Sequence, residues 1–361
     1  MTKGIAVVAI THRGVETALK IQKALDTCGL VSTVYTSKKY SQPGVTVIDT
    51  NLADFIEGTY SKTNALVAVM ATGITIRAVA PLLKSKLTDP PVIGVDATGK
   101  FVISLLSGHL GGANDLAQTI ATGIGAIPVI TTASDALGKQ SADELARTLH
   151  LAIQNPDSLV AVNSTIVNDG HITVVLVGDI KIPLETLSCF DIKKAQTSTE
   201  AIKAIETHYD AGIIITKEPI AGTKFNKPLT ILRAKRIVVG LGARKDTPAD
   251  DIVTAVKTAL EQIHVPLQRV TTFATVDIKR TSQPMLDAVE RLGAPLEFLS
   301  ADALRSVTYD DLSPDSAMVQ QKIGVGGVCE RAALLIAGNK SKLILKKTKL
   351  KETTVAVAEA E

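Results

Sequence analysis

Short β-branched runs alternate with stretches of helical periodicity along most of this chain, and that alternation leaves few folds open. Ile5–Ile10 reads as a buried strand, after which Val15, Ala18, Leu19 and Leu25 recur at helical spacing. Asn64–Met70 is a second strand, and Pro91–Val95 with Phe101–Leu105 predict a hairpin through Asp96-Ala97-Thr98-Gly99. A helix carrying Leu116, Ile120 and Ile124 leads into a strand at Ile127–Thr131. The pattern predicts a multidomain α/β protein of layered units with largely parallel sheets.

At 361 residues the chain is too long for one ordinary core, so two or three domains are expected. Residues 1–138 form the first, rich in glycine loops. Residues 139–235 read as a connecting domain, with strands at Leu159–Asn163, Ile172–Val177 and Gly212–Thr216. Residues 236–361 form a third α/β unit. There the spacing predicts a Gly-x-Gly turn at Gly240 and Gly242 and a helix over Thr247–Ile263, with Thr247 as its N-cap and Pro248 in its first turn. A final hairpin pairs LILKK with TVAVA, and the charge run Lys346–Lys351 reads as a solvated turn between them.

Composition removes several function classes. Net charge is only +3 and aromatics make up 3% with no Trp, so neither the basic footprint nor the stacking platform of a nucleic-acid binder is present. The longest apolar stretch, Ala65 to Leu83, is broken by Arg77 and Pro81, which argues against a membrane span and against a membrane partner. Cys28, Cys189 and Cys329 are odd in number, lie far apart and include no CxxC, which suits a reducing cytosol and excludes a thiolate zinc site. The N-terminus lacks the apolar length and cleavage site of a signal peptide, so a cytoplasmic protein is expected.

Polar and glycine signals concentrate between residues 70 and 135. In MATGITIRAVAP, Gly73 permits a tight turn and Arg77 offers a planar fork for a carboxylate, unless a neighbouring Asp takes it. In LLSGHLGGANDLAQ, a strand ends near Leu106 and a helix begins near Ala113 or Asn114. Gly108, Gly111 and Gly112 between them either let backbone N–H groups cradle an anion or simply serve a turn needing positive φ. Ser107 and His109 sit on the same loop, and His109 is the side chain best suited to proton transfer. In ITTASD, Thr131 and Thr132 close a strand before Asp135, which either joins a site or caps a turn. Further on, Arg244 and Lys245 could meet an acidic ligand, and Glu330 follows the glycines of GVGGVCERAA. Neither glycine cluster is G-x-G-x-x-G, so a dinucleotide site is disfavoured.

Together these segments resemble the CbiG family, the cobalt-precorrin-5A hydrolases of anaerobic cobalamin (vitamin B12) synthesis. The likeness is carried by Ala71-Thr72-Gly73-Ile74-Thr75-Ile76-Arg77 with Ala80-Pro81, by Asp89-Pro90 and Val95-Asp96, by Leu105-Leu106-Ser107-Gly108-His109 with Gly111-Gly112-Ala113-Asn114, and by Pro128-Val129-Ile130-Thr131-Thr132-Ala133. The third unit is similar to a CobE-like domain through Val239-Gly240-Leu241-Gly242, Ala274-Thr275-Val276-Asp277 with Lys279, and Gly324-Val325 with Val328-Cys329-Glu330. It departs from that pattern where Ala243 replaces a Cys and where Arg280-Thr281-Ser282 lacks a Glu.

The resemblance implies a hydrolase that opens the δ-lactone of a cobalt tetrapyrrole and releases acetaldehyde. His109, Ser107 and Asp135 are then the catalytic candidates, with Gly111 and Gly112 N–H groups as oxyanion donors. Gly73, Arg77, Gly108, Gly111, Gly112, Asn114, Thr131, Thr132, Arg244, Lys245 and Glu330 are candidates for substrate binding. Positive charge at the helix start should favour a neutral imidazole at His109. Cobalt would arrive within the substrate, so neither a cofactor nor a protein metal site is expected. The same loops would also serve a non-catalytic tetrapyrrole carrier. Pathway methyltransferases are conceivable partners, and the oligomeric state is open, a homodimer included.

Overall fold

A computed structural model describes residues 4–85, 88–222, 224–244, 246–315, 320–321 and 324–360. The chain divides into two compact units, Met1–Glu144 and Leu145–Glu361.

The first unit is built on a seven-stranded sheet. Its strands are β1 (Ile5–Ala9), β2 (Ser32–Ser37), β3 (Thr46–Ile48), β4 (Ala65–Val69), β5 (Val92–Val95), β6 (Phe101–Leu106) and β7 (Ile127–Val129), in the order β3-β2-β1-β4-β5-β6-β7. The central strands IAVVA and ALVAV are buried at every position, as parallel strands covered on both faces must be. The helices of this unit are α1 (His12–Thr27), α2 (Leu52–Tyr60), α3 (Thr72–Val79), α4 (Ala113–Ile124) and the short α5 (Ala133–Ala136). Val15, Ala18, Ile21 and Leu25 of α1 pack with Ala113, Ala117 and Ile120 of α4 in one hydrophobic cluster, while Ile56 and Tyr60 of α2 and Val79 of α3 lie in another.

One reversal decides where the loops open. β1 to β5 are mutually parallel, but the predicted hairpin makes β6 antiparallel to β5, and β7 follows β6. The turn is held by the Asp96 carboxylate, which accepts from the N–H groups of Thr98, Lys100 and Phe101. The loops after β6 and β7 therefore open at the opposite end of the sheet from the loop after β4.

The helix α6 (Ala142–Thr148) spans the division between units. The second unit carries two five-stranded sheets. One has the order β10-β9-β11-β12-β8, from β8 (Leu151–Ile153), β9 (Ile172–Val177), β10 (Asp191–Ala195), β11 (Ala211–Thr216) and β12 (Leu229–Ala234). The other has the order β15-β14-β13-β17-β16, from β13 (Arg236–Ala243), β14 (Thr272–Val276), β15 (Leu296–Leu299), β16 (Lys342–Leu350) and β17 (Thr353–Ala360).

Four local expectations are corrected here. The run at Leu159–Asn163 is not a strand but the start of α7 (Leu159–Val167), which buries Leu159, Val162 and Ile166. A short apolar run does not distinguish strand from helix, and only that three- and four-residue spacing does. After α8 (Ser198–His208), the helix expected from Thr247 is α9 (Ala249–Gln262), with Pro248 at its N-cap; the Thr247 hydroxyl is buried without a partner. Gly240 and Gly242 form no turn but lie within β13. The run Lys346–Lys351 is mostly strand, since cross-strand pairing with β17 carries β16 to Leu350. Three more helices, α10 (Gln283–Leu292), α11 (Ala301–Arg305) and α12 (Val328–Ala337), also belong to this unit.

Candidate functional site

The Ser107–Gly112 loop leaves β6 and turns directly into α4. Its glycines are required by space and by backbone. A Cβ at Gly111 would stand 2.4 Å from the Ser107 Cβ and 2.7 Å from the Ser107 carbonyl oxygen, and one at Gly108 would stand 2.8 Å from Asn114 Oδ1. Gly112 has φ of 83°, the left-handed region that glycine enters without strain. The turn closes on itself: Gly112 N–H donates to the His109 carbonyl (3.0 Å), Ala113 N–H to that of Ser107 (3.1 Å) and Asn114 N–H to that of Gly108 (3.1 Å). Gly112 N–H, expected as an oxyanion donor, is thus already engaged inside the loop.

This turn places the imidazole of His109 among acids. Its Nε2 lies 2.8 Å from Asp135 Oδ2 and 2.7 Å from Ser134 Oγ, and its Nδ1 lies 3.6 Å from Asp143 Oδ2. Asp135 and Ser134 come from α5, after β7, and Asp143 comes from the first turn of α6. The Asp135 carboxylate also accepts from Asn114 Nδ2 (3.0 Å) and from Thr132 Oγ1 (2.5 Å). Asn114 Nδ2 bonds Thr132 Oγ1 as well (3.0 Å), and Ser104 Oγ donates to Asn114 Oδ1 (2.7 Å). Asn114 and Asp143 are buried, and the His109 side chain keeps 17% of its surface open.

The Asp143 carboxylate, and after it Asp135, hold the His109 pKa above its ordinary 6.5, against burial, which pulls it down. The expected neutral imidazole is therefore reversed in direction: two carboxylates outweigh the partial charge of a helix end. In the protonated ring both nitrogens donate to acids. In the neutral ring, Asp135, the nearer carboxylate at 2.8 Å, favours the proton on Nε2 and leaves Nδ1 to accept one.

Ser107 takes no part in this cluster. Its Oγ donates to the Asp89 carbonyl (2.8 Å), tying the loop to the chain before β5. Ser134 holds the place beside Nε2 that a serine partner would need. Ser134 and Asp143 are the residues that sequence reasoning missed. The signal for Ser134 was its place inside the same ITTASD segment; for Asp143 no local motif marks it.

Arg77 Nη1 donates to the Gly73 carbonyl of its own helix (2.9 Å), and among the described residues no carboxylate pairs with it. Both residues sit on α3, which leaves the carboxyl end of β4, the sheet end opposite the His109 loop. Thr131 is exposed. In the second unit Arg244 Nε pairs with Glu352 Oε2 at 2.6 Å, and Lys245 lies outside the described residues. Glu330 is fully buried; its carboxylate accepts from the N–H and Oγ of Ser313 and from Lys347 N–H, so it ties loop to strand. Gly240 is likewise structural, since a Cβ there would stand 1.8 Å from the Cys329 carbonyl oxygen of α12. Among the described residues no group of three or more His, Cys, Asp or Glu is arranged to hold a metal ion, and no helix is long and apolar enough to cross a membrane.

Two family models match the chain: Cobalamin synthesis G N-terminal over residues 54–135 and Cobalamin synthesis G C-terminus over residues 237–358. The first contains the whole His109 loop and Asp135. A cobalt-precorrin-5A hydrolase of Priestia megaterium is 27% identical over 98% of this chain and 94% of its own length. Protein CobE of a Sinorhizobium species is 30% identical over 34% of this chain and 79% of its own. The crystal structure of a cobalamin biosynthesis protein G homolog from Sulfolobus solfataricus shares the fold with a TM-score of 0.55 and 23% identity, covering 99% of this chain and 97% of that one.

Proposed function

This chain belongs to the CbiG family of cobalamin-synthesis proteins, and on that footing we propose that it is a cobalt-precorrin-5A hydrolase whose chemistry is centred on His109. The reading is supported by full-length similarity to a protein of that name. The observation that carries it is the placement of one imidazole between Asp135, Ser134 and Asp143, beside a loop too tight for any side chain at Gly111.

In this reading His109 acts as general base. Neutral His109 accepts at Nδ1 the proton of a water attacking the lactone carbonyl. Asp135, beside Nε2, and Asp143, beside Nδ1, stabilise the imidazolium that forms, and Asn114 and Thr132 hold Asp135 in place. The acyl C–O bond breaks, which frees the ring A acetate as a carboxylic acid and leaves an alkoxide on the two-carbon unit. That alkoxide collapses to acetaldehyde as its bond to the macrocycle breaks, and the electron pair left on the macrocycle takes a proton. In this reading the imidazolium returns it. The cobalt is part of the substrate, and no step needs a cofactor. The setting is cytoplasmic, and the partners are the cobalt tetrapyrrole and, at most, the enzymes that supply and consume it; nucleic acid and membrane have no part.

Incubating the protein with cobalt-precorrin-5A and assaying acetaldehyde tests the reading. Catalytic release supports it. Binding of the tetrapyrrole without release would make the chain a carrier instead.

A further inference from the structure

The carboxyl ends of β9, β11 and β12 and the amino ends of β13, β14 and β15 enclose a cavity of about 510 Å³ in the second unit. Its volume lies in the range of small-molecule sites, and carboxyl ends of parallel strands are where α/β sheets commonly bind ligands. Its wall contains Lys181, Lys217, Arg233, Lys235, Arg236 and Arg269 against two acids, Asp179 and Glu218. That local surplus exceeds the +3 net charge of the whole chain.

The charges are not neutralised from within. Of the six cations only Lys235 has an ion pair among the described residues, with Glu359 at 3.3 Å. Arg269 is 4% exposed, and backbone alone anchors it: Nε donates to the Leu149 carbonyl (2.8 Å) and Nη2 to that of Lys235 (3.0 Å). Arg233 Nε is buried without any partner. A buried guanidinium with no counter-ion is unfavourable unless an anion arrives to pair with it. Fixing it by carbonyls beforehand is how a preorganised anion site is built.

We propose that this cavity binds a small molecule bearing several carboxylates, with Arg233 and Arg269 as the inner contacts and the exposed Lys181 and Lys217 at its mouth. Planar forks pair carboxylates at two points, and cations spread over several strand ends match acids spread over a ligand's periphery. Phosphate sites instead favour glycine-rich loops whose N–H groups converge, and no glycine lines this cavity. The site stands independently of the chemistry proposed for His109.

Calorimetric titration of the full chain with uroporphyrin, citrate and pyrophosphate tests it, alongside Arg233→Gln, the surface double variant Lys181→Ala/Lys217→Ala, and His109→Gln. At least one polycarboxylate should bind with an affinity that falls as salt rises. The double variant and Arg233→Gln should each weaken it tenfold or more, and pyrophosphate should bind at least tenfold more weakly. His109→Gln should bind as wild type does, so loss of the hydrolase reading would leave this result standing. The proposal is overturned if no polycarboxylate binds, if the double variant binds as tightly as wild type, or if pyrophosphate is the preferred ligand.

Discussion

His109 Nδ1 faces Asp143 Oδ2 across 3.6 Å, while its other nitrogen lies 2.8 Å from Asp135. The ring is thus gripped from both edges by acids that come from two different helices. Four expectations follow from that grip and from the packing of the second unit.

Asp143→Asn keeps the shape and removes the charge that contributes most to the raised His109 pKa. The acidic limb of the kcat/KM profile, which reports His109 losing its proton, should move to lower pH. The maximal rate should also fall, because the imidazolium loses one of its two counter-ions; the loss should be part of the roughly 10²–10⁴-fold that a general base supplies. An unmoved limb would show that the titration belongs to another group.

A raised folded-state pKa also makes stability depend on pH. The His109 contribution is fully present below its ordinary 6.5 and is lost as pH rises through the higher folded value. Urea unfolding of wild type should therefore show stability declining as pH rises above the ordinary 6.5, and His109→Gln should flatten that part of the curve.

Gly111→Ala places a methyl group 2.4 Å from the Ser107 Cβ, so the loop must shift. Strain of about 1–3 kcal/mol is expected. The larger effect should be on turnover, since displacing a catalytic group by about 1 Å costs on the order of 10²-fold. A melting temperature lowered by a few degrees with kcat unchanged would show that the loop does not position His109.

Glu359 on β17 is 4% exposed. Burial pushes its pKa up, but His150, Lys235 and Lys342 outweigh burial and hold it at about 2. Its stabilisation is present above its ordinary 4.5 and is lost as pH falls towards 2. Glu359→Gln should destabilise the second unit by about 3 kcal/mol at neutral pH and make acid unfolding less steep. Equal acid midpoints for the two proteins would contradict this.

The parts of this molecule that sequence made legible are those set by local chemistry. β1, β4 and the β5–β6 hairpin follow from β-branched runs and from Asp96-Ala97-Thr98-Gly99, whose side chain and glycine make the turn by themselves. The grouping of His109, Asn114, Thr132 and Asp135 was also within reach, because two adjacent strand ends had to bring those loops together. Asp143 was not: an acid in an ordinary first helical turn has no distinguishing neighbours, and only the tertiary path of the chain after α5 brings it to the ring. Gly240 and Glu330 misled for a related reason. Both have the residue types of a ligand loop, yet one admits the backbone of α12 and the other bonds the loop at Ser313. Spacing alone does not tell close approach by a ligand from close approach by the protein itself.

Single-turnover release of acetaldehyde from cobalt-precorrin-5A by His109→Gln, beside wild type at saturating substrate, tests the central claim most directly. Gln can hydrogen-bond to Ser134 but cannot take up a proton near neutral pH, so the rate should fall by roughly 10²–10⁴-fold, about 3–5 kcal/mol of barrier, while substrate affinity holds. Release at close to the wild-type rate would show that His109 is not the base and that the chemistry lies elsewhere in the chain.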